Sequence, residues 1–237
     1  MKVIQPSFEL RTSSGILDAA KGIELLRWVE FNARISHRSE DAQTDDSWKR
    51  FIQAVVVEHG DYSVTEHATV TAILRVDRGV MCELRTHRIG AALVEGAYTV
   101  ESTRFVNYGK KDADGNLKKE VEFIRPEFVG DDHVAAAASW RYMMHELELS
   151  YLEQLAMGQP PQIARSVLPN ATACSMSITY NLRNWRHFFL MRTSKEAHPD
   201  FRRTSIPMLK QFQACIPLLF DDIVPMQRQI ENMGKPR

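Results

Sequence analysis

The sequence predicts an α+β fold, a single domain of mixed sheet with packed helices spanning residues 1–237. Three observations carry this expectation. Several segments keep a 3- to 4-residue apolar spacing, two segments rich in β-branched residues alternate as strands do, and the two kinds do not follow a regular βαβ order. No internal repeat, low-complexity block or linker divides the chain.

In chain order, the first helix is expected from about Ile23 to Ile35, where Ile23, Leu26, Val29 and Ala33 share a face, and the polar run Ser36-His37-Arg38-Ser39 ends it. A second helix starts at the capping residues Asp46 and Ser47, carries Trp48, Phe51, Ile52 and Val55, and stops at Gly60. After the turn from His59 to Ser63, EHATVTAILRV reads as a strand that opens on Glu66 and His67, whose pattern fits a buried polar pair orienting loops at least as well as a catalytic pair. Asp77 caps a short helix with Val80, Met81 and Leu84 on one side. The segment GKKDADGNLKKE is a charged surface turn, and a long amphipathic helix runs from Asp131 and Asp132 through Trp140, Met144, Leu147 and Tyr151 to Gly158. CSMSITYN is the second strand. A helix from Leu182 to about Thr193 turns Leu182, Trp185, Phe188 and Phe189 inward, and Pro199 opens another.

Composition narrows the function classes. Lys plus Arg and Asp plus Glu both total 30, so there is no broad basic footprint for nucleic acid or an anionic membrane, and anion recognition has to be local. Cys82, Cys174 and Cys215 are too few and too scattered for a disulfide framework, and are expected as reduced, half-buried core thiols. No signal peptide and no membrane-length apolar run is visible, so a cytoplasmic protein is expected.

Local anion recognition has an evident candidate. CELRTHRIGAALVEGAYTVESTRF, residues 82–105, gathers Arg85, His87, Arg88 and Arg104 around Ser102. The glycine signatures of dinucleotide and P-loop sites are absent, so a nucleotide would have to be held by side chains, and the planar arginine fork suits phosphate and carbonyl edges. Arg165, before Val-Leu-Pro, and Arg192, after Phe-Phe-Leu-Met, are further candidates; a charge ending so apolar a run needs a partner. The eight histidines include no H-E-x-x-H and no repeated ligand spacing, so no metal site is expected. Ser102 with His87 as base makes a poor nucleophile, because no G-x-S-x-G elbow or orienting acid accompanies it; a hydrogen bond to bound phosphate is the simpler role.

Four blocks in order, NARIS, HGDYSVTEHATVTAILRV, ELRTHR with ESTRFVNYG, and ARSVLPNAT with ITYNLRNWRHFFLMRTSKEAHPDFR, resemble the flavin-dependent thymidylate synthases. The resemblance implies an α+β homotetramer with shared active sites. It also implies reductive methylation of dUMP at C5, with methylenetetrahydrofolate giving the carbon and FAD, reduced by NADPH, the hydride. By position, Arg192 matches the arginine that polarises the uracil ring, while Glu83, Arg85, Ser102, Thr103, Arg104 and Arg165 fall on the nucleotide side. Ser36, Ser63, Thr86, His87, Arg88, Glu101, Asn181, Arg183 and His187 fall on the flavin side. The chain departs from the pattern in places: Thr86 stands where the signature has its first arginine, and thirteen residues, Ile89 to Glu101, separate Arg88 from Ser102 where the family has seven. Such an insert leaves two other readings open, C5 methylation or hydroxymethylation of another pyrimidine nucleotide, and a nucleotide-binding relative without turnover.

Overall fold

The computed structural model describes residues 1–89, 92–93 and 95–225; Gly90, Ala91 and Val94 of the Ile89 to Glu101 insert lie outside the described residues. Three strands open the chain, β1 (Lys2–Ile4), β2 (Ser7–Thr12) and β3 (Gly15–Ile16). Helices α1 (Ala19–Ile35) and α2 (Ser47–Phe51) follow, the latter running into a π-helical stretch, Ile52–Glu58. Next come β4 (Thr69–Asp77), α3 (Arg78–Arg85), β5 (Arg88–Ile89), β6 (Ala92–Leu93), β7 (Ala97–Val100) and β8 (Glu122–Ile124). The chain continues through α4 (His133–Ala156), α5 (Pro161–Ala164), β9 (Ala173–Asn181), α6 (Leu182–Arg192) and α7 (Pro199–Cys215). Helix and sheet are both present without βαβ alternation, the α+β arrangement expected.

The main sheet has the order β3-β2-β4-β9-β7 and is antiparallel throughout, while β1 and β8 form a separate parallel pair. Alternation decides its faces. Val70, Ala72, Leu74 and Val76 of β4 and Cys174, Met176, Ile178 and Tyr180 of β9 are buried, whereas Ile73 and Ser175 are exposed on the opposite face. The apolar face is covered by α1, α6 and α7, with Trp185 of α6 at the centre of an aromatic cluster containing Phe188, Phe189 and Phe212. The Trp185 indole N–H donates to the Val70 carbonyl at 2.8 Å, so the largest core side chain buries no unpaired donor. A second, smaller core joins Tyr108, Val121, Phe123, Met144, Tyr151 and Ala164 beneath α4 and α5.

Caps set the helix starts. Asp18 accepts from the Lys21 amide at 2.9 Å, so α1 begins four residues before the expected Ile23; the apolar spacing marks only its packed part. Asp77 accepts from the Val80 amide and caps α3 as expected, with Val80, Met81 and Leu84 buried. Asn181 accepts from the Asn184 amide and caps α6, whose Leu182, Trp185, Phe188 and Phe189 turn inward. Pro199 is the first residue of α7.

Several expectations are corrected. The first long strand starts at Thr69, because Tyr62–His67 is a 3-10 turn; Glu66 and His67 are exposed there, and Glu66 pairs with Arg183 instead of forming a buried pair with His67. Helix α4 turns the expected face, Trp140, Met144, Leu147 and Tyr151, onto the second core, but its outer face is not polar throughout, since Val134, Tyr142, Met143 and Leu149 are exposed. The insert is not wholly loop, since Ala97–Val100 pairs with Met176 to Thr179 as the sheet's last strand. Cys82 is exposed; Cys174 and Cys215 are buried, and all three are free thiols.

The α1–α7 crossing rests on Gly22. A Cβ there would lie 1.7 Å from the Cys215 carbonyl oxygen, backbone that has nowhere to move. Gly22→Ala should therefore lower the thermal midpoint despite a helix-propensity gain of about 1 kcal/mol, since overpacking of this kind costs roughly 1–3 kcal/mol or more. Thermal unfolding followed by circular dichroism checks this, and a raised midpoint would refute the close packing.

Candidate active site

Opposite caps bring two helices together. In the antiparallel β4–β9 ladder Asp77 lies opposite Ala173 and Asn181 opposite Thr69, so α3 and α6 start at opposite ends of the sheet. They run back toward each other. Glu83 meets Arg192 and His87 meets His187, an antiparallel match along the two helices.

Arg192 is held on several sides. Its Nη1 donates to Glu83 Oε2 at 3.2 Å and its Nη2 to the Glu83 carbonyl at 3.4 Å. The guanidinium lies 4.9 Å from the centroid of the Phe201 ring, and Ser205 Oγ donates to the Arg192 carbonyl at 2.6 Å. The expected partner for a charge ending an apolar run is thus Glu83. Arg192 Nε remains buried without a partner.

His87 sits beside this cation. It is 2 % exposed, with its ring 5.0 Å from that of His187 and 5.6 Å, edge-on, from Phe188. Burial chiefly, then the positive charge of Arg192 and the neighbouring His187, pull its pKa down to about 4, so the ring is neutral at ordinary pH. Its Nε2 is buried and unpartnered. An imidazole kept neutral beside a fixed cation, with one nitrogen unspent, is suited to hydrogen-bonding a bound ring.

A second group gathers around the Ser102 turn. Arg165 Nη1 donates to Thr103 Oγ1 at 3.1 Å, Ser102 Oγ accepts from the Arg104 amide at 3.3 Å, and the Arg104 side chain is exposed over the ring of Phe105. Arginine, serine and threonine here make a donor set fitted to phosphate.

The remaining residues divide. His187 Nε2 is bonded to the Arg88 carbonyl at 2.8 Å, and Arg85, Thr86 and Arg88 have exposed side chains at the end of α3 and just beyond it. Thr86 Oγ1 donates to the Cys82 carbonyl. Ser36 and Ser63 are exposed hydroxyls, the first donating to the Ala33 carbonyl and the second to Asp61. Asn181 is committed to its cap and Arg183 to Glu66. Glu101 is committed elsewhere, to Arg75, Tyr108 and the Ser175 amide. Sequence reasoning missed Phe201 and Ser205, the third and seventh residues of the helix that Pro199 opens. Among the described residues, no group of His, Cys, Asp and Glu could hold a metal ion, and no helix is long and apolar enough to cross a membrane.

The geometry can now be set against known proteins. A family model described as "Thymidylate synthase complementing protein" matches residues 23–218. The Corynebacterium efficiens protein named flavin-dependent thymidylate synthase is 31 % identical over 236 residues, covering 91 % of this chain and 83 % of that protein. The chain belongs to the flavin-dependent thymidylate synthase family. Proteins of the same name from Mycobacterium tuberculosis and Mycolicibacterium gilvum are 32 % identical over 182 and 174 residues, and the match spans 70 % of this chain and 66 % of the length of each. The matched region of the family model includes Glu83, His87, Arg165 and Arg192, the residues that the β4–β9 ladder and the Ser102 turn gather.

The His87 environment predicts a pH dependence with a definite sign. Its folded pKa, about 4, lies below the ordinary 6.5, so as pH falls between these values the unfolded chain takes up a proton that the fold refuses, and stability drops by up to about 1.4 kcal/mol per pH unit. His87→Gln removes that contribution. Urea unfolding at several pH values across this window should show the wild type losing more stability than the variant, and parallel profiles would disprove the neutral histidine.

Proposed function

We propose that this chain methylates dUMP at C5 to give dTMP, with methylenetetrahydrofolate as carbon donor and FAD, reduced by NADPH, as the source of hydride. The observation that carries the reading is the guanidinium of Arg192, fixed by Glu83 and Phe201 next to a neutral His87 whose buried Nε2 has no partner. C5 of a uracil becomes nucleophilic when charge is drawn onto the ring carbonyls, and a preorganised cation stabilises that charge as it develops. Arg192 is the catalytic residue in this scheme. Glu83 orients its fork and offers a carboxylate edge to the pyrimidine, and Arg85 lies at the same end of α3. Ser102, Thr103, Arg104 and Arg165 hold the nucleotide's phosphate and sugar side.

The flavin side fits the residues present. His87 has a buried nitrogen without a partner, Ser36 and Ser63 present exposed hydroxyls, and Arg88 presents an exposed guanidinium. Together with Thr86, Asn181, Arg183 and His187 they would hold the flavin, which supplies a hydride when bound. Asn181, Arg183 and His187 would do so while keeping the cap, ion pair and carbonyl contact that fix them. Exposed apolar side chains on two helices, Trp28, Phe31 and Ile35 on α1 and Tyr142, Met143 and Leu149 on α4, support a homotetramer with shared sites. Among the described residues no helix is long and apolar enough to cross a membrane, and acidic and basic residues are equal in number, 30 each, so neither feature supports a membrane or nucleic-acid partner; a cytoplasmic location is part of this reading. The thirteen residues from Ile89 to Glu101, where the family has seven, favour one alternative, C5 modification of a different pyrimidine nucleotide.

Anaerobic incubation with dUMP, UMP, dCMP or CMP, each with methylenetetrahydrofolate and NADPH, followed by mass analysis, tests the reading. A product one methyl heavier from dUMP is expected, and no C5-modified product from any of the four would overturn it. Arg192→Ala should lower turnover by about 10²–10³-fold while flavin stays bound, as for loss of one preorganised donor. Near-intact turnover would remove Arg192 from the catalytic role.

A further inference from the structure

We propose that Glu101 is a positioning residue: its carboxylate closes the turn that carries Ser102, Thr103 and Arg104 and fixes it to the sheet, leaving no role in holding flavin. The inference rests on the reading of that turn as the nucleotide's. Its geometry is independent of it.

The turn has little to hold it locally. Ser102 accepts from the amides of Phe105 and Val106 through its carbonyl, and Phe105 is 79 % exposed. Both ends converge on Glu101. At the start, the Glu101 amide donates to the Ser175 carbonyl at 2.8 Å, continuing the β7–β9 ladder by one residue, and the Ser175 amide returns a bond to Glu101 Oε2 at 2.9 Å. At the far end, the Tyr108 hydroxyl donates to Glu101 Oε1 at 2.8 Å. Arg75, from β4, donates to Oε2 through Nη1 and reaches Glu122 of β8 with Nε and Nη2, at 3.1 and 2.8 Å. One carboxylate therefore ties together β9, β4 and the two ends of the turn.

Three donors on two oxygens leave the group little capacity for another ligand. The side chain is only 16 % exposed. Burial alone would raise its pKa, but the bonds from the Ser175 amide, Tyr108 and Arg75 outweigh this and hold the carboxyl below the usual range. Tyr108 is itself fixed: it is 2 % exposed, packs edge-on against Tyr151 of α4, and its amide donates to the Tyr151 hydroxyl oxygen at 3.4 Å. With both ends fixed, buried Thr103 is presented to Arg165, and Ser102 and Arg104 are held on either side of it.

Tyr108→Phe removes a single hydroxyl without changing shape, and Glu101→Gln removes the charge. In the full-length protein, hydrogen exchange of the 102–108 amides, dUMP affinity by calorimetry, steady-state KM and kcat for dUMP, and bound flavin by visible absorbance are measured together. Expected for Tyr108→Phe are faster exchange in the turn and a dUMP Kd and KM raised by about 5-fold, with kcat and flavin content kept. For Glu101→Gln the increase is about 10-fold or more, because a charged acceptor is lost. Unchanged exchange in both variants overturns the clamp, and flavin loss with unchanged dUMP Kd overturns it in favour of a cofactor contact. Faster exchange in a protein whose wild type binds no dUMP keeps the clamp but overturns the nucleotide reading on which its function rests.

Discussion

The β4–β9 ladder is the constraint on which the site depends. Nine consecutive pairs, from Thr69 opposite Asn181 to Asp77 opposite Ala173, join strands that are 96 residues apart at one end and 112 at the other. Closing so long a loop is entropically unfavourable, and the apolar face of the two strands offsets it by burying eight side chains against one helical layer. The register also decides chemistry. A one-residue slip of either strand would turn its apolar set to solvent, Val70 and Leu74 of β4 or Ile178 of β9, and would shift Asp77 relative to Asn181, whose side chains start α3 and α6. Glu83 would then no longer face Arg192.

Within the site the charges restrain one another. A guanidinium taken partly out of water needs compensation, and Arg192 has it in Glu83, in the face of Phe201 and in the backbone tie to Ser205. The same cation keeps His87 from protonating, in concert with burial. Where α3 and α6 meet there is therefore one fixed positive charge beside one neutral imidazole, a combination suited to stabilising negative charge on a bound ring.

Legibility in the sequence followed the range of the interaction. Helices α3 and α6 were readable because cap, apolar stripe and breaker lie within a dozen residues, as Asp77 to Leu84 and Asn181 to Phe189 do. β9 was readable from its own alternation. β2 was not, since only Phe8 and Leu10 alternate before the chain turns, and β7 was hidden because Ala97 to Val100 becomes a strand only by pairing with Met176 to Thr179. Glu66 illustrates the opposite error: its position before a β-branched run suggested burial, but the 3-10 turn aims it at Arg183 on the surface. The arginines of the site were identifiable by type and position, whereas their partners Phe201, Ser205 and Glu83 depend on contacts between helices more than a hundred residues apart, or on a helix entered after them.

The stretch from Ile89 to Glu101 is tied at three described points: the Arg88 carbonyl at its entrance by His187, the Glu95 carbonyl by the Asn184 carboxamide at 3.0 Å, and its exit by the Glu101 bonds to Ser175. Two of these ties come from α6 and one from β9, the elements that place Arg192. Between them, the short β5–β6 pairing and strand β7 take up chain length as hydrogen-bonded structure. Of this stretch, Ala97–Val100 extends along the edge of the main sheet, and the turn that follows keeps Thr103 within hydrogen-bond reach of Arg165. Specificity contributed by the longer stretch would act from that edge, while the spacing between Arg192 and the Ser102 turn is set by the shared sheet.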